Sequence, residues 1–173
     1  MLFRSNNATV ACSDSQGNTY TVATTQYDSV NNQSLAICYA MNVNGGTNTV
    51  TARFSNSPSY RRILVHEYQG VATSNALDVS VKNIGNANTA LNNVTTMAAA
   101  TATDGELIFS AVMDDSGTNS IAAGAGFLQR ASVNNKDLAS EDQVQNSAGP
   151  IAATYTFTAA HRYLAQMVVF KHQ

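Results

Sequence analysis

The segment SLAICYAM, Ser34 to Met41, sets Leu35, Ile37, Tyr39 and Met41 on one side of an extended chain and Ala36, Cys38 and Ala40 on the other. Successive side chains of a strand point to opposite faces, so this spelling predicts a strand buried on one side and close-packed on the other. ELIFSAVM, Glu106 to Met113, repeats it, with Leu107, Phe109, Ala111 and Met113 against Ile108, Ser110 and Val112. YLAQMVVFK, Tyr163 to Lys171, does so again near the C-terminus.

Working outward, turn signals separate such runs: DSQGN at Asp14–Asn18, NVNGGTN at Asn42–Asn48, SNSPS at Ser55–Ser59, DDSGTN at Asp114–Asn119 and NSAGP at Asn146–Pro150. Their Gly, Asn, Asp and Pro residues supply the backbone conformations that reverse a chain. Strands are expected near 8–12, 19–26, 34–42, 48–54, 60–69, 76–82, 94–101, 106–113, 121–131, 138–145, 150–158 and 163–171. NTALNNVTTMAAATA, from Asn88, is the best helix candidate, but four threonines and the lack of a capping box favour strand or coil. Short strands at even spacing predict an all-β fold, an antiparallel two-sheet β-sandwich. With two prolines, no charge block and no Ser/Gly-rich linker, residues 1–173 read as one domain.

Charged residues are 12% of the chain and the net charge is -2, so no basic field gathers phosphates and nucleic acid is not an expected partner. Asn, Thr, Ser and Gln supply the polar surface instead, a composition like that of secreted bacterial β-proteins. No run approaches the ~20 apolar residues that cross a bilayer as a helix, so no membrane partner is expected. The opening MLFRSNNATV is too short an apolar segment for a signal peptide, which implies a signal cut away or an excised domain. Cys12 and Cys38 are the two cysteines, each in a strand-like run; a disulfide is possible if the strands adjoin, and two buried thiols are slightly favoured. The sequons at Asn7, Asn32 and Asn93 are about as many as so Asn- and Ser/Thr-rich a chain makes by chance.

The elements VACSDSQGNTYTVA, LAICYAMNVNGGTNTVTARF, ILVHEYQGVATSNALDV, DGELIFSAVM, AGFLQR and ATYTFTAAHRYLAQMVVF together resemble a jelly-roll-like β-sandwich module of large secreted proteins from environmental bacteria, often beside immunoglobulin-like domains. The likeness covers nearly the whole chain. Its motifs are structural: a DSxGNTY hairpin, a GGxNTVT turn into a strand, an EYxGV strand end and a GF after small residues. It implies a jelly-roll topology and secretion rather than a reaction, since the family carries no established catalytic residues. Such modules usually begin with an apolar strand ahead of the SDSQGN hairpin, where this chain has MLFRSNN, so an N-terminal strand is expected to be missing or shortened.

RRILVHEYQGV, Arg61 to Val71, holds the residues that invite a chemical reading. On an extended chain His66 and Glu67 point apart and do not form a dyad. With Ile63 and Val65 facing the core, Glu67 would enter it at the strand end and need donors there. Tyr60, Arg62, His66 and Tyr68 would then form a polar-aromatic stripe on the outer face, suited to stacking on sugar rings and bonding hydroxyls. A hydrolase needs a second carboxylate. Glu141, in ASEDQVQ, is the candidate partner of Glu67, productive if the two share a cleft about 5–9 Å apart, though the same pair could instead flank Arg130 as a salt bridge. His161 and His172 have no paired Ser or Cys at a recognisable spacing, there is no Gly-x-Ser-x-Gly elbow, and no zinc spacing occurs. SDSQGN and DDSGTN offer hard oxygen ligands, making Asp14, Asp114 and Asp115 candidates for calcium, although both are equally good plain turns. The expected function is a secreted, extracellular, non-catalytic module binding a polysaccharide or cell-surface glycan through Tyr60, Arg62, His66 and Tyr68. The alternatives are a glycoside hydrolase on Glu67 and Glu141, and a structural subunit that forms homo-oligomers by strand addition at an open sheet edge.

Overall fold

The computed structural model describes residues 2–4 as backbone, and residues 7–87, 94–114, 120–133 and 137–173 in full. Among them every regular element is a strand. The all-β, antiparallel class expected from the alternating runs is observed, although the strand orders do not by themselves make a jelly roll.

Five strands build the central sheet: β7 (Leu77–Asn86), β10 (Glu106–Asp114), β12 (Leu128–Val133), β13 (Leu138–Gln145) and β16 (Arg162–Phe170), in the order β12-β13-β10-β16-β7. A second sheet has the order β3-β4-β1-β6, from β1 (Leu2–Arg4), β3 (Tyr20–Asp28), β4 (Gln33–Ala40) and β6 (Tyr60–Arg62). Leu35 and Ile37 of β4 meet Ala111, Met113, Leu138, Leu164 and Val168 of the central sheet in one buried cluster. The opposite face of that sheet is covered as well. Val112, Ala139 and Ala165 pack under β8 (Val94–Thr95), β11 (Ile121–Ala123) and β15 (Thr154–Phe157) through Val94, Ile121, Tyr155 and Phe157. Burial of both faces explains why β10 and β16 read as nearly unbroken apolar runs.

The alternation in SLAICYAM is realised as read. Leu35 and Ile37 face the central sheet and Tyr39 stacks edge-on against Phe170, while Ala36 packs beneath Ala8, Val10 and Phe54 of a smaller two-stranded sheet. That sheet pairs β2 (Val10–Asp14) with β5 (Val50–Phe54). Cys12 of β2 and Cys38 of β4 form a disulfide with Cα atoms 6.5 Å apart, which corrects the preference for two free thiols. The ribbon lies across β4, so cysteines on strands that are not ladder neighbours still meet.

Four expected strands are broken in the structure: 60–69, 94–101, 121–131 and 150–158. The 94–101 run survives only as β8 and β9 (Ala99–Ala100). The 60–69 run keeps a ladder for Tyr60–Arg62 alone, although the alternation of exposed and packed side chains continues to Tyr68. The strand at Leu2–Arg4, unread in the sequence, pairs antiparallel with β4 on one side and β6 on the other.

Candidate functional site

The chain from Ile63 to Tyr68 is inverted relative to expectation. Ile63 (42% exposed), Val65 (59% exposed) and Glu67 face solvent, while Leu64, His66 and Tyr68 are packed inward. The phase follows from what lies beneath: β10 and β13 present Phe109, Ser140 and Asp142, which receive an imidazole and a phenol better than two aliphatic side chains would use them. The Tyr60, Arg62, His66 and Tyr68 stripe is therefore not an outer platform. Tyr60 alone, 55% exposed, shows its ring to solvent.

Arg62, His66 and Tyr68 are engaged within the protein. Arg62 donates from a guanidinium Nη to Asp137 Oδ2 at 3.1 Å. The His66 ring lies 5.2 Å from that of Phe109, and its Nε2 is 3.1 Å from Ser140 Oγ. Tyr68 donates to Asp142 Oδ2 at 2.6 Å, and Arg130 Nε donates to the same oxygen at 2.7 Å. Burial pushes the His66 imidazole below its usual value, against the pull of Asp142, so the ring is neutral near pH 7. Burial likewise pushes the Tyr68 phenol up, with its bond to Asp142 adding to the shift.

The two proposed carboxylates do not share a cleft. Ser140 and Asp142 of β13 point toward His66 and Tyr68, so Glu141 between them points through to the other face of the central sheet. There it is fully buried; its Oε2 accepts from Gly124 N at 2.9 Å and its Oε1 has no hydrogen-bond partner among the described residues. Gly124 is needed for this approach, since a Cβ there would run into the Thr154 backbone. Burial raises the Glu141 carboxyl to about 8, only partly offset by the Gly124 amide. Glu67 stands in solvent on the far side of the second sheet, so the paired-carboxylate arrangement is not formed. The salt bridge of Arg130 goes to Asp142, not to Glu141.

Serine and histidine do meet, unread in the sequence because 74 residues separate them. Ser140 is buried, and among the described residues no carboxylate bonds the second ring nitrogen of His66. A nucleophile needs such an orienting group and access to substrate. Here the pair works as a tether, holding the 63–68 segment onto β13.

Of the calcium candidates, Asp14 collects donors where a cation needs acceptors. Its Oδ1 takes the amides of Gln16 and Asn18, and its Oδ2 takes Asn18 Nδ2, Tyr20 OH and Asn48 Nδ2. These bonds, that from Asn48 foremost, hold the carboxyl well below its usual range. The carboxylate closes the DSQGN turn, in which Gly17 adopts a φ of 73°. Asp114 is buried at the end of β10, and Asp115 lies outside the described residues.

What remains open is a slot. Leu2 pairs with Leu35 on β4 and with Arg62 on β6, so β4 and the chain through Arg62 run parallel with one strand between them. Beyond Leu2, Ile37–Ala40 and Ile63–Tyr68 flank that line without any backbone hydrogen bond across it among the described residues. A cavity of about 440 Å³ occupies the interval, lined by Ile37–Val43 on one side and Ile63–Thr73 on the other, with Phe109 and Leu138 as part of its floor. Burial along β4 falls where the slot begins: Gln33–Ile37 are buried and Cys38–Ala40 only partly so. Met41, Val43, Ile63 and Val65, all exposed, gather at its rims.

Comparison with known proteins leaves this geometry to speak alone: no family model, no curated protein and no solved structure matches the chain.

Proposed function

We propose that this protein is a non-catalytic assembly module that binds an extended polypeptide in the slot between β4 and the 63–68 segment, completing the sheet. The single observation behind this reading is that Ile37–Ala40 and Ile63–Tyr68, flanking the line of β1 across a cavity, have no backbone hydrogen bond between them among the described residues. Strand addition at one edge leaves the incoming strand with a free edge of its own. A strand entering here bonds on both sides, and its inward side chains fill an apolar cavity, so main-chain bonds supply affinity and the cavity supplies selectivity.

The glycan-binding reading draws less support, because Arg62, His66 and Tyr68 spend their polar atoms on Asp137, Ser140 and Asp142. The hydrolase reading loses its second carboxylate to the opposite face of the sheet. Secretion remains part of the proposal, and the Cys12–Cys38 bond is compatible with an extracellular setting.

Amide hydrogen exchange tests the reading directly. Without a ligand, the 63–68 amides and those β4 amides beyond Ile37 not bonded to β3 are expected to exchange quickly. A saturating peptide of alternating apolar residues should protect both sets together. Protection of 63–68 alone would mean addition at the outer edge, and failure of every such peptide to bind would reject strand acceptance.

A further inference from the structure

We infer that the protein carries a second binding site, at one end of the central sheet, for a small organic carboxylate with a short apolar body. The site does not depend on what fills the slot.

It lies where four strand ends meet. β10 and β12 begin there, β13 and β16 end there, and the chain at Gln69–Val71 closes one side, leaving a hollow of about 480 Å³. That volume is within the usual range of small-molecule sites. Leu107 stands opposite Val144, and Leu128 opposite Asp142, so these four share one face of the sheet. Leu128 and Val144 are exposed on it. Gly70 and Gly126, at φ of 79° and 84°, place bare backbone along the lining.

Charge decides what the hollow takes. β12 pairs Gln129 with Glu141 and Ala131 with Ser140, so Arg130 is the extra residue of a bulge, a device that re-aims a side chain. Its Nε donates to Asp142 Oδ2 at 2.7 Å, and the Tyr68 hydroxyl holds the same oxygen at 2.6 Å. The guanidinium is thus fixed through one nitrogen, while its Nη groups make no hydrogen bond among the described residues. A planar pair of N–H donors held in place matches the two oxygens of a carboxylate. Lys171 lines the same hollow, and its ammonium makes no ion pair or hydrogen bond among the described residues. Asp142 is the one carboxylate in the lining, and its Oδ2 already accepts from Arg130 and Tyr68, so the lining is net positive. An uncharged apolar ligand would desolvate both cations without pairing them. An inorganic anion would leave Leu128 and Val144 in water. A carboxylate on a short apolar body satisfies both.

The test follows amide chemical shifts of the whole protein by nuclear magnetic resonance during titration with hexanoate, with hexanol and inorganic phosphate as comparison ligands. Hexanoate is expected to shift the amides of Gly126, Leu128 and Val144 together and to saturation; none of these residues lines the slot. Hexanol, lacking the charge, and phosphate, lacking the apolar body, should each bind at least about tenfold more weakly. Arg130→Gln and Lys171→Gln should each weaken hexanoate about threefold to fivefold, the scale of a partly exposed charge pair, and leave the slot amides where they were. Hexanol binding as tightly as hexanoate would overturn the role of the cations, and phosphate doing so would overturn the apolar body. Hexanoate binding that is unchanged in both variants, or that shifts only slot amides, would overturn the site. So would the absence of any shift.

Discussion

At Asp142 two donors converge on one carboxylate oxygen, the Tyr68 hydroxyl from the 63–68 segment and the Arg130 guanidinium from β12. Arg130 is substantially exposed, so its pairing is screened by solvent and contributes modestly. The Tyr68 bond is better sheltered. Replacing Tyr68 by Phe should therefore destabilise the protein by about 1–2 kcal/mol, measured by urea unfolding, while the Arg130→Ala change should cost less than about 1 kcal/mol. The reverse order would mean that the guanidinium carries the cluster. None of this was legible in RRILVHEYQGV. The sequence shows that His66 and Glu67 diverge, and the structure agrees, but alternation alone does not say which of the two phases turns inward. Ile63 and Val65 look like the core phase. The buried polar groups of β13, far along the chain, decide for Leu64, His66 and Tyr68.

Elements whose partners are set by their own alternation were readable, and those set by a cover were not. β10 and β13 fall within a residue or so of where their spelling puts them, because each has continuous ladders along its length. The 121–131 and 150–158 runs each split into two short strands around Gly124 and the Ala152–Ala153 step, where the chain changes partners. The small β2–β5 ribbon depends on a link no alternation reveals, the bond from Cys12 to Cys38. Closing a loop of 26 residues removes denatured-state freedom worth about 3 kcal/mol. The double change Cys12→Ser with Cys38→Ser is expected to lower stability by roughly that amount and to speed proteolysis within 8–18 before the central sheet unfolds. An unchanged unfolding midpoint would show that Val10 and Phe54, packed near Ala8 and Ala36, hold the ribbon unaided.

For the molecule as a whole, two carboxyl groups on different layers shift in opposite directions and make opposite contributions to the pH dependence of stability. Asp28, at the end of β3, is buried, which alone would raise its carboxyl; Arg162 on β16 outweighs this through bonds of 2.6 and 3.0 Å, and the net direction is downward. The unfolded chain thus binds this proton more readily, and the stability Asp28 contributes is present above its ordinary value of 3.8 and lost as pH falls through the depressed folded value. Glu141 behaves oppositely. Its folded carboxyl, raised to about 8, holds a proton that the unfolded chain releases near 4.5, so its contribution is complete below 4.5 and declines as pH rises toward 8. The decline is at most about 1.4 kcal/mol per pH unit. The lowered His66 and Asp14 add to the acid-side loss, so stability should fall toward acid through Asp28, Asp14 and His66 and toward alkali through Glu141. The Glu141→Gln protein, neutral at every pH, should lose the alkaline slope and keep the acid one, whereas Asp28→Asn should lessen the acid slope, leaving the part owed to Asp14 and His66, and keep the alkaline side intact. Melting temperatures of the three proteins across pH 2–9 separate the contributions; an alkaline slope that persists in Glu141→Gln would place its origin in another group and show that the buried Oε1, without a partner among the described residues, is not what strains the fold as pH rises.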